Sequence, residues 1–221
     1  MDKIIATQDG SHSIFSEQFG VSYHSKYGAI QETKHVFINA GLRLKAVVQR
    51  DIAILDIGFG TGLNALMTLL EADKRNLQID YVAYEAFPIS DEQARILNYP
   101  TVLDLKPDYT AAFQQMHFSD WEILHQLTDN FSFTKHLAVF DEVDYQNKFD
   151  VVYFDAFAPN SQPELWERPI MERMYNALKP DGALVTYCAK GSVKRTMKAL
   201  GFTIEKLQGP PGKREMTRAI K

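Results

Sequence analysis

The stretch Ile54-Leu55-Asp56-Ile57-Gly58-Phe59-Gly60-Thr61-Gly62-Leu63-Asn64 constrains this chain more than any other part of it. An apolar run stops at an acid, three alternating glycines follow, and a helical pattern begins with Leu63, Leu66, Leu69 and Leu70 on one face. The run predicts a buried parallel strand, and the leucines predict the inner face of the next helix. Glycine at such a junction lets the backbone turn sharply and approach a ligand, because no Cβ stands in the way. The first turn of a helix also leaves N–H donors free, which makes the junction a site for a nucleotide or an anion. A dinucleotide fingerprint needs a third glycine at position 63, where Leu63 stands, and no Gly-Lys-Ser/Thr follows to make a P-loop.

From Ile52 onward strand and helix patterns alternate, which predicts an α/β fold on a parallel sheet. The strand from Ile79 to Tyr84 closes on Glu85, 23 residues past Gly62, and an acid at a strand end can accept both hydroxyls of a ribose. The strand from Phe149 to Phe154 closes on Asp155 and runs into Ala156-Phe157-Ala158-Pro159, so Asp155 is expected beside the glycine turn. Further strands are expected within 131–143 and over 183–188, 202–207 and 216–220, the last two joined by Gly209-Pro210-Pro211-Gly212. A helix is expected from Pro163 with Trp166, Ile170, Met174 and Leu178 on one face, then a turn at 179–182. Another should run from Lys190 to Leu200, ended by Gly201.

Residues 1–50 read as an extension that packs on the core and covers the ligand. It holds a hairpin around the Asp9-Gly10 turn and a helix from about Gln31, which Gly41 weakens or ends. Residues 90–130 read as a helical insertion, with Tyr109, Phe113, Met116 and His117 on one face and Trp121, Leu124 and Leu127 following. No linker or repeat interrupts the chain, so a single domain over 1–221 is expected.

Composition narrows the function classes. No apolar run reaches the ~20 residues of a membrane helix, and the N-terminus lacks a signal-peptide core. Cys188 stands alone, which excludes a disulfide framework and fits the cytoplasm. The six histidines show no H-x-x-x-H pair and no cysteine partner, so no metal is expected. The net charge of −4 hides an asymmetry: residues 190–221 carry nine Lys/Arg against Glu205 and Glu215, a local +7 on an acidic body. That split suits either a phosphate-binding face or a solvated tail.

The pattern D-x-G-x-G-x-G resembles the first motif of S-adenosyl-L-methionine methyltransferases. An acid with a nearby aromatic and one proline, as in Asp155-Ala156-Phe157-Ala158-Pro159, partly matches the Asp/Asn-Pro-Pro-Tyr/Phe of amine methylators, without the Pro-Pro pair. Such catalysis is mostly alignment of a nitrogen lone pair and exclusion of water. A carboxylate at 155 can fix an N–H bond and also stabilises the unreactive ammonium. Taking the proton and merely orienting the amine both remain open for it.

Together these pieces resemble the methyltransferase domain of the MnmC family, which in its bifunctional form is fused to a flavin-dependent oxidase. The resemblance runs over nearly the whole chain, through residues 7–11, 23–25, 28–37, 54–64, 84–85, 153–159, 163–166, 186–191 and 209–216. It implies a Rossmann-like sheet of seven mostly parallel strands with an antiparallel last strand. It also implies methylation of 5-aminomethyl-(2-thio)uridine at the wobble position of tRNA. Carried over, Asp56, Gly58, Phe59, Gly60, Gly62, Asn64, Glu85 and Asp155 would bind S-adenosyl-L-methionine, and Asp155 would meet the amine. Phe157 and Pro159 would face the substrate, while Lys190, Lys194, Lys213 and Arg214 would hold phosphates around the tRNA anticodon. No second glycine fingerprint precedes Lys221, so separate enzymes are expected to supply the aminomethyl uridine. The Gly-Asp often found near 131–139 in relatives is absent, which leaves the adenine contact unassigned. Competing readings are a methyltransferase for a protein or small amine, and a non-catalytic nucleotide-binding module.

Overall fold

Apolar runs flanked by helices on both sides specify a buried parallel sheet, and such a sheet forms the centre of the computed structural model, which describes residues 2–221. Its parallel strands are β4 (Asp51–Ile57), β5 (Gln78–Glu85), β7 (Phe131–Leu137), β8 (Phe149–Phe154) and β9 (Leu178–Thr186). Three further strands, β6 (His125–Thr128), β10 (Thr203–Gln208) and β11 (Glu215–Ile220), complete the order β10-β11-β9-β8-β4-β5-β7-β6. The last strand, β11, runs antiparallel between β9 and β10, as expected. Strand order reverses at β4, which pairs with β5 on one side and β8 on the other. The C-terminal ends of these three strands therefore border one crevice.

Each sheet face has its own core. On one side α3 (Leu63–Arg75) and α6 (Pro107–Phe118) bury Leu66, Leu69, Phe113 and Met116. The shorter helices α4 (Asp91–Ile96) and α5 (Tyr99–Val102) lead into α6. On the other side α7 (Arg168–Ala177) and α8 (Gly191–Ala199) bury Ile170, Met174, Val193 and Met197.

The N-terminal extension forms a second small sheet, β1 (Lys3–Ala6), β2 (His12–Ser16) and β3 (Val21–Ser22). A helical rod follows: α1 (Ala29–Thr33), a π-helical stretch Lys34–Leu42 and α2 (Arg43–Ala46). Asp9 in the hairpin turn accepts the N–H of Gln31 in the first turn of α1 at 3.1 Å. Arg43 clamps the nearly buried Glu71 of α3 through two N–H donors at 2.6 and 2.9 Å.

The structure corrects several expectations. The main sheet has eight strands, because residues 125–128, expected in a helical insertion, pair with β7 across Asp129-Asn130. The insertion is helical only to Phe118. There the Lys135 amine, buried in β7 and 4.5 Å from the Trp121 ring centroid, donates to the His117 carbonyl at 2.5 Å. A cation on a terminal carbonyl favours a helix end at that point. Pro163 opens a 3₁₀ turn (Pro163–Trp166), and α7 starts at Arg168 with Leu178 already in β9. Residues 179–182 bulge from β9, shifting its pairing from Phe149↔Leu178 to Val151↔Ala183.

Gly41 does not end the helix. It lies inside the π-helical stretch, where a Cβ would stand 3.0 Å from Val185, 3.1 Å from Tyr153 and 3.3 Å from Val151. The glycine therefore lets the rod approach the sheet closely. Gly41→Val should lower stability by about 1–3 kcal/mol through overpacking, despite its better helix propensity. Urea unfolding reads the loss, and an unchanged midpoint would show that the contact yields freely.

Candidate functional site

The turn after β4 can form only with residues that tolerate left-handed backbone. Gly58, Gly60 and Gly62 have φ of 96°, 50° and 71°. The N–H groups of Gly58 and Phe59 donate to the Tyr84 carbonyl at 3.0 and 3.2 Å. That of Gly60 donates to Glu85 Oε2 at 2.8 Å. The end of one strand is thus tied to the end of the next. Glu85 accepts the Phe87 N–H through its other oxygen at 2.9 Å, and burial raises its carboxyl.

A cavity of about 570 Å³ opens over these strand ends. Gly58, Phe59, Gly60, Asn64, Glu85, Asp155 and Phe157 all line it. Asn64 in the first turn of α3 donates its amide to Asp155 Oδ2 at 2.9 Å, and its buried Oδ1 has no partner among the described residues. Burial raises the Asp155 carboxyl well above the usual carboxylate range. Glu32 and Asp56 push the same way, while Asn64 and Lys213 oppose. The loop after Asp155 is pinned at two carbonyls: Tyr187 donates to Ala156 at 2.8 Å and Trp166 to Phe157 at 2.7 Å.

Other expected site residues lie elsewhere. Strand alternation turns Asp56 away from the cavity, onto the side of Tyr81, which donates to its carboxylate at 2.7 Å. It is wholly buried, and burial pushes it up to about 7. Gly62 faces α6, where a Cβ would meet His117 at 2.9 Å. Pro159 lies beyond the lining. Lys194 is buried against Glu215 at 3.1 Å, and Lys213 pairs with Glu32 at 2.7 Å. Each of these two lysines, expected at phosphates, thus has an acid partner within the protein. Lys190, bonded to Asn160 at 3.1 Å, and Arg214 are exposed.

The extension contributes Phe19, Tyr23 and His24 to the cavity, lining that no local pattern signals. Phe19 and Tyr23 each set their ring centroid 5.0 Å from that of Phe157, and Phe19 also meets Phe87 at 5.4 Å. His24 Nε2 lies 2.8 Å from Thr61 Oγ1 in the glycine turn, and Tyr99 donates to the same hydroxyl at 3.1 Å. That leaves the Thr61 proton for His24, whose ring burial keeps neutral with a pKa of about 4. Val139, Phe140 and Asp141 form the far wall, where the expected Gly-Asp is missing.

A family model described as S-adenosyl-L-methionine-dependent methyltransferase matches residues 105–221. The glycine turn lies outside that match and is independent of it. The tRNA 5-methylaminomethyl-2-thiouridine biosynthesis bifunctional protein MnmC of Aromatoleum aromaticum is 30% identical over 229 residues, covering 98% of this chain and 35% of that protein. Its counterpart from Leptospira borgpetersenii is 27% identical, covering 91% and 32%. The chain spans about one third of the length of these relatives. The solved structure of MNMC2 from Aquifex aeolicus superposes with a TM-score of 0.80 at 26% identity, over 99% of this chain and 69% of that one.

The neutral histidines set a pH dependence. Unfolded histidine titrates near 6.5, whereas burial lowers both His24 and His117 to about 4 in the fold. Between those values the unfolded chain binds more protons, so stability falls on acidification. Asp56, raised to about 7, acts in the opposite sense and weakens the fold as pH rises toward 7. Comparing variants isolates the ring: from pH 7 to 4 the wild type should lose up to about 3 kcal/mol more than His24→Gln in urea unfolding. Equal losses would mean that the ring titrates in the fold as it does in the unfolded chain.

Proposed function

Because this chain belongs to the S-adenosyl-L-methionine-dependent methyltransferases, we propose that it methylates the primary amine of 5-aminomethyl-(2-thio)uridine at the tRNA wobble position. The observation that carries this reading is the Asp155 carboxylate, held by Asn64 at the cavity wall beside the rings of Phe157, Tyr23 and Phe19. An acid suits an amine, and clustered rings suit a flipped base. The name of the MnmC relatives, a tRNA 5-methylaminomethyl-2-thiouridine biosynthesis protein, supports the same modification.

The residues fit the methyl donor. Gly58 and Gly60 give a backbone wall that a side chain would disturb, since a Cβ on Gly58 would stand 3.0 Å from the Asp155 carbonyl. Glu85 would take the ribose hydroxyls, with Phe87, Val139 and Phe140 as apolar walls for the adenine and Asp141 at its rim. When bound, S-adenosyl-L-methionine supplies an electrophilic methyl, whose bond to sulfur breaks, its electron pair returning to sulfur, as the nitrogen–carbon bond forms. Asp155 would accept an N–H of the amine, aim the nitrogen lone pair and take the proton that must leave. Phe157, Tyr23 and Phe19 would hold the base and keep water out. Exposed Lys190 and Arg214 remain as phosphate contacts, which position the tRNA without reading its sequence.

Methyl transfer to tRNA from cells lacking the modification, read by nucleoside mass spectrometry, should add one methylene mass to aminomethyluridine. No gain there, with methylation of a protein or small amine instead, would replace this reading. Asp155→Asn should lower kcat by about 10²–10⁴. Glu85→Ala should weaken donor binding about tenfold to a hundredfold in calorimetry. The double variant Lys190→Glu, Arg214→Glu should weaken tRNA binding and flatten its salt dependence. An unchanged salt slope would remove both residues from the phosphate contacts.

A further inference from the structure

Glu32 and Lys213 come from opposite ends of the chain and meet behind Asp155. Glu32, in α1, is 6% exposed and accepts the Ser25 N–H at 2.9 Å and the Lys213 amine at 2.7 Å. Lys213, in the β10–β11 loop, also sits 3.8 Å from the centroid of the Tyr187 ring. The Tyr187 hydroxyl holds the carbonyl of Ala156, the neighbour of Asp155. Lys213 is thus linked to the strand end that carries the acid in two ways, by charge and through a ring.

The charge balance around Asp155 explains what this link does. Glu32 from α1 and Asp56 from β4 press on its carboxyl with like charge, and Asn64 from α3 donates to it. Tyr81 on β5 and Tyr187 after β9 also face it, and burial holds both phenols neutral. His24, which feels Glu32 and Lys213, is neutral as well, and burial raises the Cys188 thiol. Among the groups acting on Asp155, Lys213 is the cation. An opposite charge favours the ionised carboxylate, and a like charge favours the protonated acid.

We propose that Lys213 is a positioning residue for methyl transfer: by neutralising Glu32 and bracing Tyr187, it favours the ionised form of Asp155 and holds it aimed so that it can accept the proton of the substrate ammonium. This deepens the methyl-transfer reading and rests on it. The N–H bond of the ammonium breaks, its proton goes to an Asp155 oxygen, and the freed lone pair makes the new nitrogen–carbon bond. Glu32 and Lys213 change no bonds.

The test reads Asp155 directly, by carboxyl-carbon NMR titration of the full chain labelled at aspartate, with Asp155→Asn identifying the resonance. Lys213→Met should shift the Asp155 midpoint upward, Glu32→Gln should shift it downward, and the double variant should fall between the two. Lys213→Arg should stay near the wild type. The acid limb of the pH–rate profile should move in the same order, about tenfold in rate per pH unit below the limb. Lys213→Met should leave the salt slope of tRNA binding unchanged, whereas a phosphate contact would reduce it by about one. An unmoved midpoint in Lys213→Met, or a reduced salt slope, overturns the proposal. Should that variant not fold, the absence of a downward shift in Glu32→Gln overturns it. A wild type that leaves aminomethyluridine unmethylated overturns the substrate reading instead, so the two failures are distinguishable.

Discussion

Three left-handed residues within five positions force the chain to leave β4 at a sharp angle, and the site depends on that turn. Its N–H groups bond to the end of β5, at the Tyr84 carbonyl and the Glu85 carboxylate. On its other side a Cβ at Gly58 would reach the Asp155 carbonyl at the end of β8. Two acids at the ends of the strands that flank β4 are therefore placed by one piece of backbone. Because the turn also starts α3, Asn64 arrives within hydrogen-bond reach of Asp155. Helix, turn and two strand ends act as a single rigid unit.

The rest of the chain holds that unit from outside. His24 and Tyr99 share the Thr61 hydroxyl, and His117 reaches the Thr61 carbonyl at 3.2 Å, so the turn is gripped by the extension and by the helices before β6. Asp9 caps α1, which carries Glu32 to Lys213 of the C-terminal hairpin. Trp166 and Tyr187 pin the loop that follows Asp155. The sequence blocks that resemble the MnmC family outside the glycine turn, at 7–11, 23–25, 28–37, 163–166, 186–191 and 209–216, include Asp9, His24, Glu32, Trp166, Tyr187 and Lys213, though not Tyr99 or His117. Their shared property is that they fix the strand ends.

Local patterns made the strand-turn-helix, Glu85 and Asp155 legible, because each depends on the residue order within one element and its exit. Long-range facts were not legible. Asp56 carries the acid of the motif, yet alternation along β4 buries it under Tyr81. Lys194 and Lys213 counted as free charges in the composition, which records no partners, and the fold pairs them with Glu215 and Glu32. Residues 125–128 are a short, polar edge strand whose identity comes from pairing with β7, so a helical reading of 90–130 ran past its true end. Phe19 reaches the cavity from a part of the chain with no motif, and only tertiary packing could place it.

The surplus of acid bears on the open question of what Asp155 does. Asp56, Glu85 and Asp155 are all raised by burial, so the region resists carrying their negative charges together. A cation entering such a cavity is attracted, and its charge in turn favours ionised acids. The proposed amine enters as an ammonium. With ordinary values near 10 for an alkylamine and 4 for an aspartate, moving its proton to the acid costs about 8 kcal/mol. An acid at its ordinary value would orient the ammonium and leave it protonated. Burial narrows the gap, raising the carboxyl and lowering the ammonium by about 1.4 kcal/mol per pH unit, while the attraction between the two charges works against it. The raised Asp155 is therefore suited to take the proton as well as to aim the nitrogen. Lys213 opposes that rise, and so bears on how far the carboxyl is lifted before the substrate arrives.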